Sequence, residues 1–287
     1  MLILNGLVNG LLYGGLLALL AFAINLIFGV LNVLHLAYGQ CVMIGLYIIY
    51  VLTILLHIPF IISCFVAIVA LVGLNILIHV SVVQPLLKTP LLNQLIALAG
   101  LIIVLENVAL GIFGGDYLGF NLIFPAFAIG EVYIRISMLI PFLCSLAALA
   151  ILWLFLHKTY TGLAIKAVVQ DREMASLVAM NTKQIYLITF AIGGLLAGIV
   201  AACFAPIYVV HPHFGLAFTL TAFVTVVLGG LGNLLGGFIA AFFIGIVSQI
   251  GAIIFTSEIG EILVYVIFIL IILFRPQGLL GVKVRSA

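Results

Sequence analysis

The sequence predicts an all-α integral membrane protein: a polytopic bundle of about eight or nine transmembrane helices, with one further helix in a cytoplasmic loop. Two observations carry that reading. Of the 287 residues 67% are apolar and 6% are charged, against about 25% charged in soluble domains, so no water-soluble fold could hide the apolar surface. The apolar residues are also gathered into runs of about 20, the length at which a helix crosses the hydrocarbon core with its backbone groups paired internally.

Such runs occupy residues 6–28, 37–56, 60–83, 91–113, 138–157 and 184–208. Three shorter ones follow at 217–232, 237–256 and 261–275, where Gly229-Gly230, Gly232 and Gly236-Gly237 interrupt an otherwise overlong stretch. The first run imitates a secretory leader, since Leu11 to Leu20 precede Ala21-Phe22-Ala23. A leader needs basic residues ahead of its apolar core, and Asn5, Gly6, Asn9 and Gly10 stand there instead. The run is therefore read as a retained first helix. The turn from Gly29 to Leu36 carries no formal charge, which leaves a broken or re-entrant helix open on either side of it. Residues 1–287 read as one transmembrane domain whose outer surface faces membrane lipid.

Charge placement orients the chain. Lys158, Lys166, Arg172 and Lys183 gather in 158–183, and Arg275, Lys283 and Arg285 in the tail, so both segments belong in the cytoplasm, as does the loop with Lys88. Residues 114–137 hold Asp116 and Glu131 with only Arg135, and 257–261 hold Glu258 and Glu261; both belong outside. Two cytoplasmic segments need an even number of crossings between them, which the glycine break supplies. Counting backwards from Lys88 puts the N-terminus outside.

Small residues recur four apart at Gly6, Gly10, Gly14, at Gly111, Gly115 and at Gly194, Gly198. Such ladders let helix backbones approach closely, within this subunit or against another. Cys41, Cys64, Cys144 and Cys203 lie in apolar stretches without paired spacing, and read as small buried hydrophobes.

The absences narrow the chemistry. No phosphate-binding G-x-x-x-x-G-K-[ST] loop, H-E-x-x-H or G-x-S-x-G occurs, so the chain is not expected to be an enzyme or to hydrolyse ATP by itself. No cofactor is indicated, and a net charge of +2 gives no case for nucleic acid. His211-Pro212-His213 lies in a short external loop with no third ligand nearby, so no metal site is expected.

Glu106, with Asn107 beside it, falls near the middle of the fourth apolar run. A charge at that depth costs roughly 2.5–3.5 kcal/mol on insertion scales. Two accounts of the offset stay open: a Glu that knits helices together, or a pair lining a solute path. Asn25, Asn75, His79, Ser248 and Gln249 are weaker polar points, read as helix-packing groups.

The stretch 158–183 is polar yet helix-prone. Leu163 to Val169 makes one turn or two, Asp171 can cap the next helix, and Met174, Leu177 and Val178 share a face at i, i+3, i+4. An apolar face there suits a groove on another protein; a helix lying on the bilayer or capping its own bundle is the plainer alternative.

That stretch, through Gly162, Lys166-Ala167-Val168, Gln170-Asp171-Arg172-Glu173, Ala175 and Leu177, resembles the coupling loop of branched-chain amino-acid ABC permeases. The opening NGLVNGLLYGGLLAL from Asn5, the FGVLN from Phe28, Glu106-Asn107, the VLGGLGN from Val227 and the closing LFRPQGLLG from Leu273 resemble the same family in the same order. Length and N-terminal pattern are similar to the shorter, LivH-type subunit of the high-affinity leucine/isoleucine/valine importer. The resemblance implies a second permease subunit, two cytoplasmic ATP-binding subunits docked on the coupling loop, an extracytoplasmic solute-binding protein, and a bacterial cytoplasmic membrane. It implies that Gly162, Lys166, Gln170, Asp171, Arg172, Glu173, Met174, Leu177 and Val178 serve ATPase coupling.

The sequence departs from the family's usual N-[FY]-A-H-G with His35-Leu36-Ala37-Tyr38-Gly39, which loosens the solute assignment. Relatives of this class take urea, short amides and other apolar amino acids. The rival reading is a stand-alone secondary transporter or channel for a small polar solute such as urea or an amide.

Overall fold

The computed structural model describes residues 2–120, 122, 124–129, 132–177, 180–275 and 277–280. Among them eight helices are long and apolar enough to cross a membrane. They are α1 (Leu2–Leu31), α2 (Tyr38–Tyr50) with its extension to Leu55, α3 (Phe60–Ile78) running on through α4 (Gln84–Leu86), α5 (Leu91–Phe113), α6 (Ile136–Lys158), α9 (Thr182–Phe204), α11 (Leu234–Ile254) and α12 (Ser257–Phe274). Between them lie α7 (Tyr160–Gln170), α8 (Arg172–Leu177) and α10 (Phe214–Gly229). The run expected at 217–232 is thus a 16-residue helix, α10, short of the others. Loop 114–137 contains a hairpin of β1 (Ala126–Ile129) and β2 (Val132–Arg135), with Ala126 opposite Arg135. Wide π-turns close α2 at Val51–Leu55 and α3 at His79–Val83.

By packing the chain forms two compact units, residues 1–25, 122–149 and 221–287 in the first, 26–121 and 150–220 in the second. In the first, α1 and α11 touch backbone to backbone: a Cβ at Gly10 would lie 2.6 Å from Ile246 Cα, and one at Gly14 2.7 Å from Phe242 Cα. Without a hydrophobic drive between helices in lipid, this close van der Waals contact is what holds them. The turn between α10 and α11 is left-handed at Gly230 (φ 100°) and Gly232 (φ 80°), which side chains resist. Asn25 accepts there from Gly232 N–H at 3.1 Å, and Asn233 caps α11 by accepting from Gly236 N–H at 3.0 Å. The closing segment lies on this turn: Leu279 N–H donates to Leu228 O at 2.7 Å, and Asn233 donates to Leu280 O at 2.9 Å.

In the second unit α3 and α9 make the corresponding close crossing, at Gly194 over Val72 Cα and Gly198 over Ile68 Cα. The start of α2 is buried against them, with Tyr38, Cys41, Val42, Met43 and Leu46 fully enclosed. Of the small-residue ladders, Gly111 faces open space and Gly115 meets only the Leu110 side chain, so that ladder serves no contact among the described residues.

Candidate coupling and translocation sites

At the coupling stretch, α6 turns sharply into α7. Thr159 accepts from Gly162 N–H at 3.0 Å and so caps α7. Gly162 sits so close to Phe155 O and Leu156 Cα that a side chain cannot enter, which gives this glycine a steric role at the corner. Helix α7 runs for 11 residues, longer than the one or two turns expected, because Ile165 and Val168 bury a face of it. Lys166 is half-buried, and Gln170 and Asp171 are exposed.

Asp171 Oδ1 accepts from Met174 N–H at 3.0 Å, the cap expected for the next helix. On α8, Ala175 is buried while Met174 is 60% and Leu177 78% exposed. Tyr160, Leu163 and Val169 of α7 are exposed as well. Arg172 and Glu173 belong to α8, but their side chains, like the whole of Val178, lie outside the described residues.

Glu106 lies seven residues before the end of α5, about 10 Å along the axis at 1.5 Å per residue, nearer one end than the apolar run suggested. Its carboxylate meets two groups that the sequence does not connect to it. His213 Nδ1 contacts Oε1 at 2.5 Å, and Gln40 Nε2 donates to Oε2 at 3.4 Å. Gln40 is fully buried, and a Cβ on Gly215 would collide with its amide.

Backbone pairing between Leu118 and Val210 ties the segment after α5 to the loop that holds His213. His211 stacks near Tyr117 at 4.8 Å between ring centroids. Burial holds its imidazole below the usual histidine value, and His213 beside it pushes the same way. Asn107 is exposed and donates to Ile103 O of its own helix at 2.8 Å, so it does not join this cluster. Among the described residues no three His, Cys, Asp or Glu side chains gather as metal ligands would.

A second polar group escaped the sequence reading in part. His35 and His79, both 1% exposed, pack on the Phe190 ring at 5.4 and 4.7 Å, and Asn75 is enclosed with its amide donating to Leu71 O at 3.0 Å. Asn75 and His79 are legible as polar points in a span; His35 and Gln40 are not, since both fall in the turn before α2 or on its first residues.

Eight helices long and apolar enough to cross a membrane, a half-buried carboxylate with polar partners and an exposed amphipathic segment between two of those helices define a polytopic transport subunit of the membrane. The profile of the family described as branched-chain amino acid transport system / permease component matches residues 6–272. The chain belongs to that family. It is similar to the high-affinity branched-chain amino acid transport system permease protein BraD of Pseudomonas aeruginosa, 28% identical with 97% of this chain and 95% of that protein covered. It is also similar to the permease protein LivH of Escherichia coli K12, at 26% with 95% and 94% covered, and to a probable LivH of Methanocaldococcus jannaschii, at 25% with 96% and 91% covered. Among solved structures, PsaBC from Streptococcus pneumoniae in complex with Fab has a similar fold, with a TM-score of 0.52 at 14% identity, covering 94% of this chain and 91% of that one.

Proposed function

We propose that this chain, acting as a single permease domain over residues 1–287, is a subunit of an ATP-binding-cassette importer. It passes branched-chain or related apolar amino acids across a bacterial cytoplasmic membrane. Its partners are a second permease subunit, two cytoplasmic ATP-binding subunits and an extracytoplasmic solute-binding protein, with the C-terminus in the cytoplasm and the N-terminus outside, a topology that takes the short α10 as a ninth crossing. Full-length similarity to BraD and LivH supports this cargo class over urea or an amide, and supports an importer over a stand-alone transporter.

The observation that carries the coupling role is the exposure of Met174 and Leu177 on α8, next to exposed Tyr160, Leu163 and Val169. Large apolar side chains on a short helix in a basic segment suit an apolar groove on a partner. In this reading Gly162, Lys166, Gln170, Asp171, Arg172, Glu173, Met174, Leu177 and Val178 form the coupling surface. Movement of the ATP-binding subunits reaches the spans through α7 and its rigid corner at Gly162.

The test is co-purification from cells that also express the neighbouring genes, followed by mass spectrometry. The unsubstituted chain is expected to bring ATP-binding subunits with it, and Met174→Asp with Leu177→Asp to lose them while the chain keeps its thermal midpoint. Retention of the ATP-binding subunits by the double variant removes this docking face. In this reading Glu106 lines the solute path, with Asn107 next to it in the chain. Native uptake by Glu106→Leu, Asn107→Leu would leave both residues with a structural role alone.

A further inference from the structure

The carboxylate of Glu106 is held from two sides by groups of unequal freedom. On Oε2 the donor is Gln40, a side chain with 0% exposure whose amide rests against Gly215. Gly39, next to it, donates its N–H to Thr219 Oγ1 at 3.1 Å, so the start of α2 is pinned to α10. On Oε1 the partner is His213, whose side chain is 71% exposed at the turn before α10. One partner is thus fixed in packed protein and the other is open to solvent. The Gln40 amide oxygen faces Gly215, so the Nε2 side of the amide is the one turned to the carboxylate.

We propose that Glu106 is the receptor for the primary ammonium group of the solute, that His213 occupies it when no solute is present, and that Gln40 is a positioning residue that keeps the carboxylate aimed. This rests on the permease reading above and adds the chemical group recognised. A carboxylate largely withdrawn from water, as that of Glu106 is at 19% exposure, is stabilised by an N–H or cationic partner. The His213 imidazole, 71% exposed, has solvent to swing into. An ammonium group brings three N–H donors, and one of them replaces the imidazole on Glu106 Oε1. A solute without an ammonium group offers no replacement for the imidazole and does not displace it, so the exchange itself selects for amines.

The experiment uses the full-length chain in lipid nanodiscs with 15N-labelled histidine. The His213 ring signals are assigned by their loss in His213→Asn. The probes are leucine and 4-methyl-2-oxopentanoate, which share the branched side chain and the carboxylate and differ in the ammonium group. Leucine is expected to move the His213 Nδ1 signal saturably and the keto acid to leave it in place. Glu106→Gln is expected to lose the response, and Gln40→Leu to need about tenfold more leucine, the effect of one hydrogen bond to a charged group.

A His213 signal that ignores leucine, or that moves equally with both probes, overturns the proposal. Should Glu106→Gln fail to fold, the comparison of the two probes on the unsubstituted chain decides alone. Leucine uptake by the chain reconstituted with its partner subunits is measured in parallel. Uptake with a silent His213 signal overturns the ammonium site and leaves the permease reading intact; a responsive signal without ATP-driven uptake keeps the site and removes the importer reading.

Discussion

Helices α9 and α5 are both 23 residues long and have the same mean hydropathy, yet 61% of the most apolar window of α9 is buried within the chain against 11% of that of α5. Hydropathy gets both into a membrane and says nothing about what each then touches. Lipid tails are as apolar as leucine, so a leucine gains little by leaving them for a neighbouring helix. Helix α9 carries Gly193, Gly194, Ala197, Gly198 and Ala201 along one face, and that face lets α3 approach to backbone contact. Helix α5 has Leu, Ile and Val all round, and its Gly100 and Gly111 open onto empty space. What binds α5 to the rest of its unit is directional instead: the Glu106 contacts to Gln40 and His213, and the Phe113 ring stacked on Tyr47 at 4.2 Å. One helix is held by shape, the other by a few specific groups.

The largest test of this contrast is Gly198→Val. Its Cβ would lie 2.5 Å from Ile68 Cα, backbone that cannot step aside, and a loss of about 3 kcal/mol is expected from overpacking. The measurement is the thermal midpoint of the purified chain in detergent, and an unchanged midpoint would mean that α3 and α9 are not locked by shape.

Next comes the polar attachment of α5. Glu106→Ala and His213→Ala, singly and together, should show a coupling of about 1–2 kcal/mol in a double-mutant cycle; simple additivity would show that the two side chains meet without energetic consequence. Removing the ring stack by Tyr47→Leu should cost about 1 kcal/mol, read from the same midpoint. At the small end, Gly111→Leu is expected to change stability by less than about 0.5 kcal/mol. If it instead abolishes co-purification of a second permease subunit while leaving the midpoint alone, the bare face of α5 is where that subunit sits.

The contrast also marks where sequence reading ends. The apolar runs at 91–113 and 138–157 become α5 and α6 almost residue for residue, because length and composition alone decide insertion. The four-apart glycines were legible as close-packing signals, and Gly10, Gly14, Gly194 and Gly198 act so; Gly111 carries the same pattern and does not, since spacing cannot say whether a neighbour exists. The cap by Asp171 was legible because it is local. The π-turns and the β1–β2 hairpin were not, the first because one extra residue per turn leaves no composition mark, the second because a short hairpin in a loop has little period to read. Glu106 stood out as a charge in a span, but its partners Gln40 and His213 are brought to it by tertiary packing from 66 and 107 residues away. Only the family resemblance, through the motifs around Gly162 to Leu177, pointed to coupling before any geometry did.

The clasp of the closing segment on the α10–α11 turn has a consequence for how the chain is made. Leu279 and Leu280 donate to Leu228 and Gly229, and Asn233 donates to Leu280, so a turn laid down early is fastened by residues translated only after α11 and α12. Domains fold progressively during synthesis, and here the two left-handed glycines at 230 and 232 stay unclasped until translation has passed both of those spans. A ribosome that stops before Leu279 therefore releases a chain with every span in place and this fastening missing, a difference that a protease patrolling the membrane surface could read.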